Sequence, residues 1–277
     1  MFDTFERSAD AGEPIFLFDF STGTAHWRYT TADRQITHVS NPYDPAPITA
    51  GNIVQGQEIK QKTIKITIPR DLQLALVLQN FPPSTDVMLT VFSLHYTDPD
   101  AQAIVIWIGR VMQQNQKDST IELSCEPAYT GIQTQGLRRR WQLNCPHVLY
   151  GLACGITASN YQVATTLTAV SGVVVSSADF VPPAGLSFAG GYLEWDSGKG
   201  YQERRSINSV SGTDLTLAYG SPDLSAGLSV TAFPGCRHTM ADCKNFPVSG
   251  STVGNLANFG GDPYIPTKNP FDGNPVF

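Results

Sequence analysis

The sequence predicts a mostly β protein, and three observations carry that prediction. Short runs alternating apolar and polar residues recur from residue 15 to about residue 233. Clusters of Gly, Pro, Ser, Asn and Asp separate them, as turns separate strands. Only one stretch, LQLALVLQN at 72–80, has a helical period.

Taken in order, IFLFDF (15–20) and HWRYTT (26–31) flank STGT and read as a hairpin. TIKITI (63–68) alternates, with Ile64, Ile66 and Ile68 on one face. The helix follows. Asp71 is placed to cap it, Pro82 and Pro83 to stop it, and Leu72 with Leu76, and Leu74 with Leu78, are spaced by four along it. DVMLTVFSL (86–94) and AIVIWIG (103–109) are further strands, and the second, apolar on both faces, reads as a buried central strand. TIELSC (120–125) turns Ile121, Leu123 and Cys125 to one side, which makes Cys125 a core residue.

Composition shifts at residue 131, where GIQTQGLRRRWQ is polar and basic. From about 160 to 233 the chain is poor in charge and rich in Ser, Thr, Gly and Val, with strands such as YLEW, RRSINSV and DLTLAY. The tripeptide VSG occurs at 170–172 and 210–212, which reads as one turn chemistry used twice. After residue 244 no period survives, and the Pro- and Gly-rich end keeps Phe246, Phe259, Tyr264, Ile265, Phe271 and Phe277. Such a segment is expected to lie extended over another surface. The expected organisation is an N-terminal β-barrel or sandwich domain over 1–130, and a small cysteine-bearing region built from 131–160 and 234–260. A small β-barrel or sandwich module of five or six strands is inserted over 161–233, and an extended tail occupies 261–277.

The bulk numbers exclude some functions. A net charge of −6 argues against nucleic-acid binding as the main role, because that needs an electropositive face. No run of about 18 apolar residues exists, so no membrane span is expected. MFDTFERSADAGEP has neither the basic nor the apolar region of a secretory signal, so folding in a reducing cytoplasm is expected. Only 15% of residues are charged, which points to surface covered by partners.

Four of the five cysteines fall in two short-range pairs, Cys145/Cys154 and Cys236/Cys243, with 81 residues between the pairs. In a reducing compartment such clustering points to metal or redox chemistry. If the inserted module leaves and returns at neighbouring points, the four thiols meet. Structural zinc sites favour two to four residues between paired ligands, whereas eight and six intervene here. The wider loops suit an iron–sulfur cluster, although a tetrahedral zinc site and four unrelated core cysteines also remain open. Arg138, Arg139, Arg140, Arg237 and Lys244 are placed to offset a cluster's negative charge, and Trp141, Tyr150 and Phe246 to exclude water. Cys145 and His147 can also be read as the nucleophile and base of a cysteine peptidase, though no surrounding signature accompanies them. Tyr192 and Trp195 can be read as a sugar-stacking pair, but packing between strands is the expected role.

CPHVLYGLAC at 145–154, GCRHTMADCKNF at 235–246 and NLANFGGDPYIP at 255–266 resemble the cluster-binding half of phage tail-tip and hub proteins. This is the family of the L protein of lambda-like long-tailed phages, shared with bacterial gene transfer agents. WRYTTADRQITH and YDPAPITAGNIVQ are similar to the opening hairpins of the same proteins. The resemblance implies a structural virion protein rather than an enzyme, assembled in the host cytoplasm and placed at the tail tip. It implies a homotrimeric ring that closes the tail tube. That ring joins the distal tail protein to the central receptor-contacting spike, with the tape-measure protein ending within it. It further implies a [4Fe–4S] cluster held by Cys145, Cys154, Cys236 and Cys243. His147 and His238, beside two of those cysteines, are the candidate replacements for a ligand.

Overall fold

The computed structural model describes all residues except 1, 9, 54–62, 81–82, 134–135, 137–139, 249 and 267–277. Pro82, Arg138, Arg139, Phe271, Phe277 and most of the expected 261–277 tail therefore lie outside the described residues. The chain is mostly β and divides into two compact units, 1–134 with 197–203, and 135–196 with 204–277.

In the first unit, helix α1 (Phe2–Glu6) precedes the hairpin β1 (Pro14–Thr22) and β2 (Ala25–Thr30), where Phe20 faces Trp27 across the ladder. Then come β3 (Ile36–His38), β4 (Asn41–Pro45), β5 (Thr49–Ala50), β6 (Ile64–Pro69), helix α2 (Gln73–Asn80), β7 (Met88–His95), β8 (Ile104–Gln116) and β9 (Thr120–Pro127). They form one sheet in the order β3-β4-β2-β1-β7-β8-β9-β6-β5, antiparallel except for the β2–β4 pair. The period-2 pattern does what it predicts. Ile64, Ile66 and Ile68 face Cys125, Leu123 and Ile121 across the β6–β9 ladder, and all six are buried. On the opposite face Lys65 and Lys117 both bond Glu122, whose carboxyl they hold down to about 2. Helix α2 covers the core with Leu74, Ala75 and Leu78, and Tyr29 Oη accepts from the Leu74 N–H at 3.4 Å. Leu76, on the far side of the helix, is exposed. Cys125 is fully buried, and burial alone pushes its thiol up to about 12.

Strand β8 corrects one expectation. It lies inside the sheet between β7 and β9, yet Ile104, Val105, Ile108 and Met112 are 37%, 46%, 48% and 56% exposed. Register shifts opposite Val91/Phe92 and at Val111/Gln113 break its alternation, so its ladder is satisfied on both sides while these apolar side chains stay uncovered. Central in the hydrogen-bonding direction is not the same as buried on both faces.

The second unit carries β10 (Val163–Thr166), β11 (Ala169–Ser171), β12 (Val174–Ser176), β13 (Tyr192–Asp196), β14 (Gln202–Ser211), β15 (Asp214–Leu217) and β16 (Ser229–Phe233). The sheet order is β10-β16-β13-β14-β15-β12-β11, seven strands rather than the five or six expected. The edge strands β10 and β11 are consecutive in sequence and only two residues separate them, so the sheet curls on itself around a core of Trp195, Phe180, Phe188, Leu193, Leu215 and Ala232. Gly172 and Gly212, which end the two VSG tripeptides, both take φ of 61°, in the left-handed region that turns a tight hairpin. Trp195 is buried and packs between strands as expected, while Tyr192 stacks on Phe233 with ring centroids 4.5 Å apart. Helix α3 (Met240–Asn245) follows the module and is capped by Thr239, whose side chain accepts from the Asp242 N–H.

Candidate functional site

The two cysteine pairs meet in the second unit. Cys145, Cys154, Cys236 and Cys243 line one cavity, together with His147, Leu149, His238, Phe246, Asn255 and Asn258. The segments that carry them are fastened directly. The Cys145 N–H donates to the His238 carbonyl at 2.8 Å, and Tyr150 Oη donates to the Pro234 carbonyl at 2.6 Å. Helix α3 holds Cys243, and the N–H of Cys243 donates to the Thr239 carbonyl at 3.0 Å. A small core of Ile156, Tyr161 and Phe246 backs the site, with Leu149 and Tyr150 packed against it. Tyr150 and Tyr161 each meet the Phe246 ring edge to face.

Every sulfur has a polar neighbour. The Gly260 N–H donates to Cys145 Sγ at 3.4 Å, and the His238 N–H to Cys236 Sγ at 3.3 Å. Asn255 Nδ2 lies 3.8 Å from Cys154 Sγ, and Cys243 Sγ donates to the Asn255 carbonyl at 3.3 Å. His238 adopts φ of 62°, a conformation that costs a non-glycine residue roughly 1–2 kcal/mol. That turn places its N–H at Cys236 and its carbonyl at Cys145, so the strain lies at the site. Burial is the largest cause raising the thiols of Cys236 and Cys243, the latter to about 11. The neighbouring cysteines add to the rise in both, so the four thiols feel one another's charge. Burial thus favours the neutral thiols of Cys236 and Cys243, and a bound cation reverses that by stabilising their thiolates.

The NLANFGG stretch gains its meaning here. Gly260 and Gly261 allow the closest approach of the chain to the first cysteine segment. A Cβ on Gly260 would stand 2.5 Å from His147 Cε1 and Nε2, and one on Gly261 would stand 2.6 Å from the Leu143 carbonyl oxygen. His147 Nδ1 is within hydrogen-bond distance of the Asn258 carbonyl at 3.0 Å. A carbonyl only accepts, so Nδ1 carries the proton. Among the described residues no hydrogen bond joins His147 to Cys145; His147 Nδ1 meets the Asn258 carbonyl and Cys145 Sγ the Gly260 N–H.

Two expectations about the surroundings are corrected. Arg237 does not face the thiols as a free charge; it forms a two-pronged pair with Asp242, at 2.9 and 2.7 Å. Trp141 does not shield the site. It is 82% exposed, and its indole N–H donates to Asp262. Tyr150 and Phe246 do pack at the site as expected. Sequence reasoning missed Asn255, which is buried and bonds to two of the cysteines.

The donor set fits a thiolate-bound metal group. Four soft sulfur donors converge from two segments, and N–H groups are aimed at three of the sulfurs. Among the described residues no three His, Cys, Asp or Glu side chains gather tightly enough to share a single ion.

Residues 186–269, which include Cys236, Cys243 and the NLANFGG stretch, match the family described as phage conserved hypothetical protein BR0599. An uncharacterized protein of Xylella fastidiosa (strain 9a5c) is 25% identical over 176 residues, covering 58% of this chain and 36% of that protein. The chain therefore matches just over a third of that relative's length. A chain from the solved structure titled "Virion of native gene transfer agent (GTA) particle" superposes with a TM-score of 0.73 at 17% identity, covering 99% of each chain, which shows a shared fold. Residues 16–157, just over half of the 277 and inclusive of Cys145 and Cys154, match the model of a second family. By that match the chain belongs to the family described as baseplate hub protein, N-terminal attachment domain.

Proposed function

We propose that this chain is a structural baseplate hub protein of a long-tailed phage or a phage-derived particle, in which Cys145, Cys154, Cys236 and Cys243 hold a [4Fe–4S] cluster. The observation that carries the reading is the meeting of two cysteine pairs, 81 residues apart in sequence, around one cavity in a baseplate hub family member. The loops of eight and six residues inside the two cysteine pairs, longer than the two to four that structural zinc sites favour, support a multi-iron cluster over one zinc, because a cluster's ligands sit on separate irons.

The role of the group is mechanical. A hub has to seal a tube and bear load, and each chain needs a rigid joint where its distant segments meet. Four thiolate bonds to one metal group fasten the 145–154 loop to helix α3 and order the 255–261 stretch beside them. The chain acts as a subunit of a ring, a homotrimer, that joins the distal tail protein to the central receptor-contacting spike, with the tape-measure protein ending within it. It works in the virion at the tail tip and is assembled in the host cytoplasm. No catalytic role is assigned.

Expression in iron-limited cells tests the joint, with the particles imaged by electron microscopy. Loss of the ring, or its collapse on mild heating, is the expected outcome. A stable ring assembled from metal-free chains would contradict the reading.

A further inference from the structure

Asn255 lies in a stretch without strand or helix period, yet only 3% of it is exposed. Its Nδ2 donates to the Cys154 carbonyl at 2.8 Å and lies 3.8 Å from Cys154 Sγ. Its own N–H donates to the Cys243 carbonyl at 3.1 Å, a bond that does not depend on the state of the sulfur, and its own carbonyl accepts from the Cys243 thiol at 3.3 Å while that thiol is metal-free. One residue therefore grips a cysteine of each pair. The orientation of its carboxamide is fixed from both ends, because Nδ2 meets a carbonyl while Oδ1 accepts from Asn258 Nδ2 at 2.8 Å. Asn258 in turn offers its carbonyl to His147 Nδ1, and two residues further on the Gly260 N–H reaches Cys145 Sγ. The short turn from 255 to 260 thus touches three of the four cysteines, and its anchor is the Asn255 side chain.

We propose that Asn255 is the positioning residue of the thiol site. It sets the distance between the two cysteine pairs and aims N–H donors at Cys154 and Cys145. It thereby controls how firmly the metal group is held and what potential it has. This rests on the reading that the four cysteines hold an iron–sulfur cluster. Two general facts support the step. Groups that orient metal ligands from behind typically change metal retention by about 10- to 100-fold when removed. Cluster potentials follow the hydrogen bonds made to the sulfurs. A purely structural Asn255 would instead affect unfolding alone.

The test uses the full chain, purified anaerobically, as wild type, Asn255→Asp, Asn255→Ala and Asn258→Ala. Aspartate keeps the size of the side chain and replaces the Nδ2 donor by an acceptor facing the Cys154 carbonyl. Iron, sulfide and zinc are counted per chain, the midpoint potential is measured, and iron release to a chelator is timed. The expected result for Asn255→Asp is a lower potential and iron release faster by roughly 10- to 100-fold. Asn258→Ala, at an exposed residue, should shift both readouts in the same direction by less, and it carries the test if the Asn255 variants do not fold. Wild-type potential and release rate in the variants, even with a lower melting temperature, would overturn the inference while leaving the cluster reading intact. A wild-type chain without iron would overturn both.

Discussion

Gly260 sits where the turn that closes the site meets the first cysteine segment, and Gly260→Ala puts that geometry under load. The new Cβ would stand 2.5 Å from His147 Cε1 and Nε2, against an ordinary carbon contact of about 3.5–4.0 Å, so roughly 1 Å of displacement is required. The His147 ring is held by its bond to the Asn258 carbonyl, and Gly260 by its N–H bond to Cys145 Sγ. Movement of either partner loses at least one of these. A neutral hydrogen bond is worth about 0.5–1.5 kcal/mol and one to a charged sulfur about 1.5–3 kcal/mol, so losing both costs about 2–4.5 kcal/mol. At 1.4 kcal/mol per decade, that is a roughly 30- to 1,600-fold shift in the balance between closed and open site. The assay is the half-time of metal loss to excess chelator, with Gly212→Ala as control. The control Cβ meets nothing within 4 Å, and its strain lies in the β module. Unchanged metal retention in Gly260→Ala would refute the packing of the 255–261 stretch on the cysteine loop.

Further outcomes are expected elsewhere. The Cys125 thiol is raised to about 12, so its neutral form stabilises the fold fully below about pH 9 and that contribution is lost as pH rises towards 12. Urea unfolding of wild type and Cys125→Ala should therefore converge by up to about 4 kcal/mol across that window, and parallel curves would contradict the burial. Glu122 is lowered to about 2 by Lys117 and Lys65, so its contribution is present above about pH 4.5 and lost as pH falls towards 2. Acid unfolding of Glu122→Gln should be flatter in that range than that of wild type. Phe246→Ala removes a buried ring that backs the thiols, at a cost of about 3–5 kcal/mol, and should also speed loss of the bound metal. A drop in unfolding midpoint without faster metal loss would separate the core role of Phe246 from its role at the site.

How much of this was legible in the sequence differs from element to element. The β1–β2 hairpin and the Ile64, Ile66, Ile68 face could be read directly, because strand alternation writes burial into every second residue. Cys125 and Trp195 could be placed in cores for the same reason. Strand β8 misled because register shifts let apolar residues face outward, and no periodicity records a bulge. Arg237 and Trp141 misled because nearness in sequence to a cysteine does not say which way a side chain turns. One pairs with Asp242 and the other bonds Asp262. Asn255 was illegible for a deeper reason. Its value comes from two cysteines 101 and 12 residues away, and an isolated asparagine in a Gly-rich stretch looks like any other turn residue.

The most direct test of the central claim is a metal and sulfide count on the anaerobically purified chain, with its absorption spectrum. The account predicts a brown protein with about four irons and about four sulfides per chain, lost when Cys154 or Cys236 is replaced by serine. A colourless protein, metal-free or with a single zinc, would contradict it.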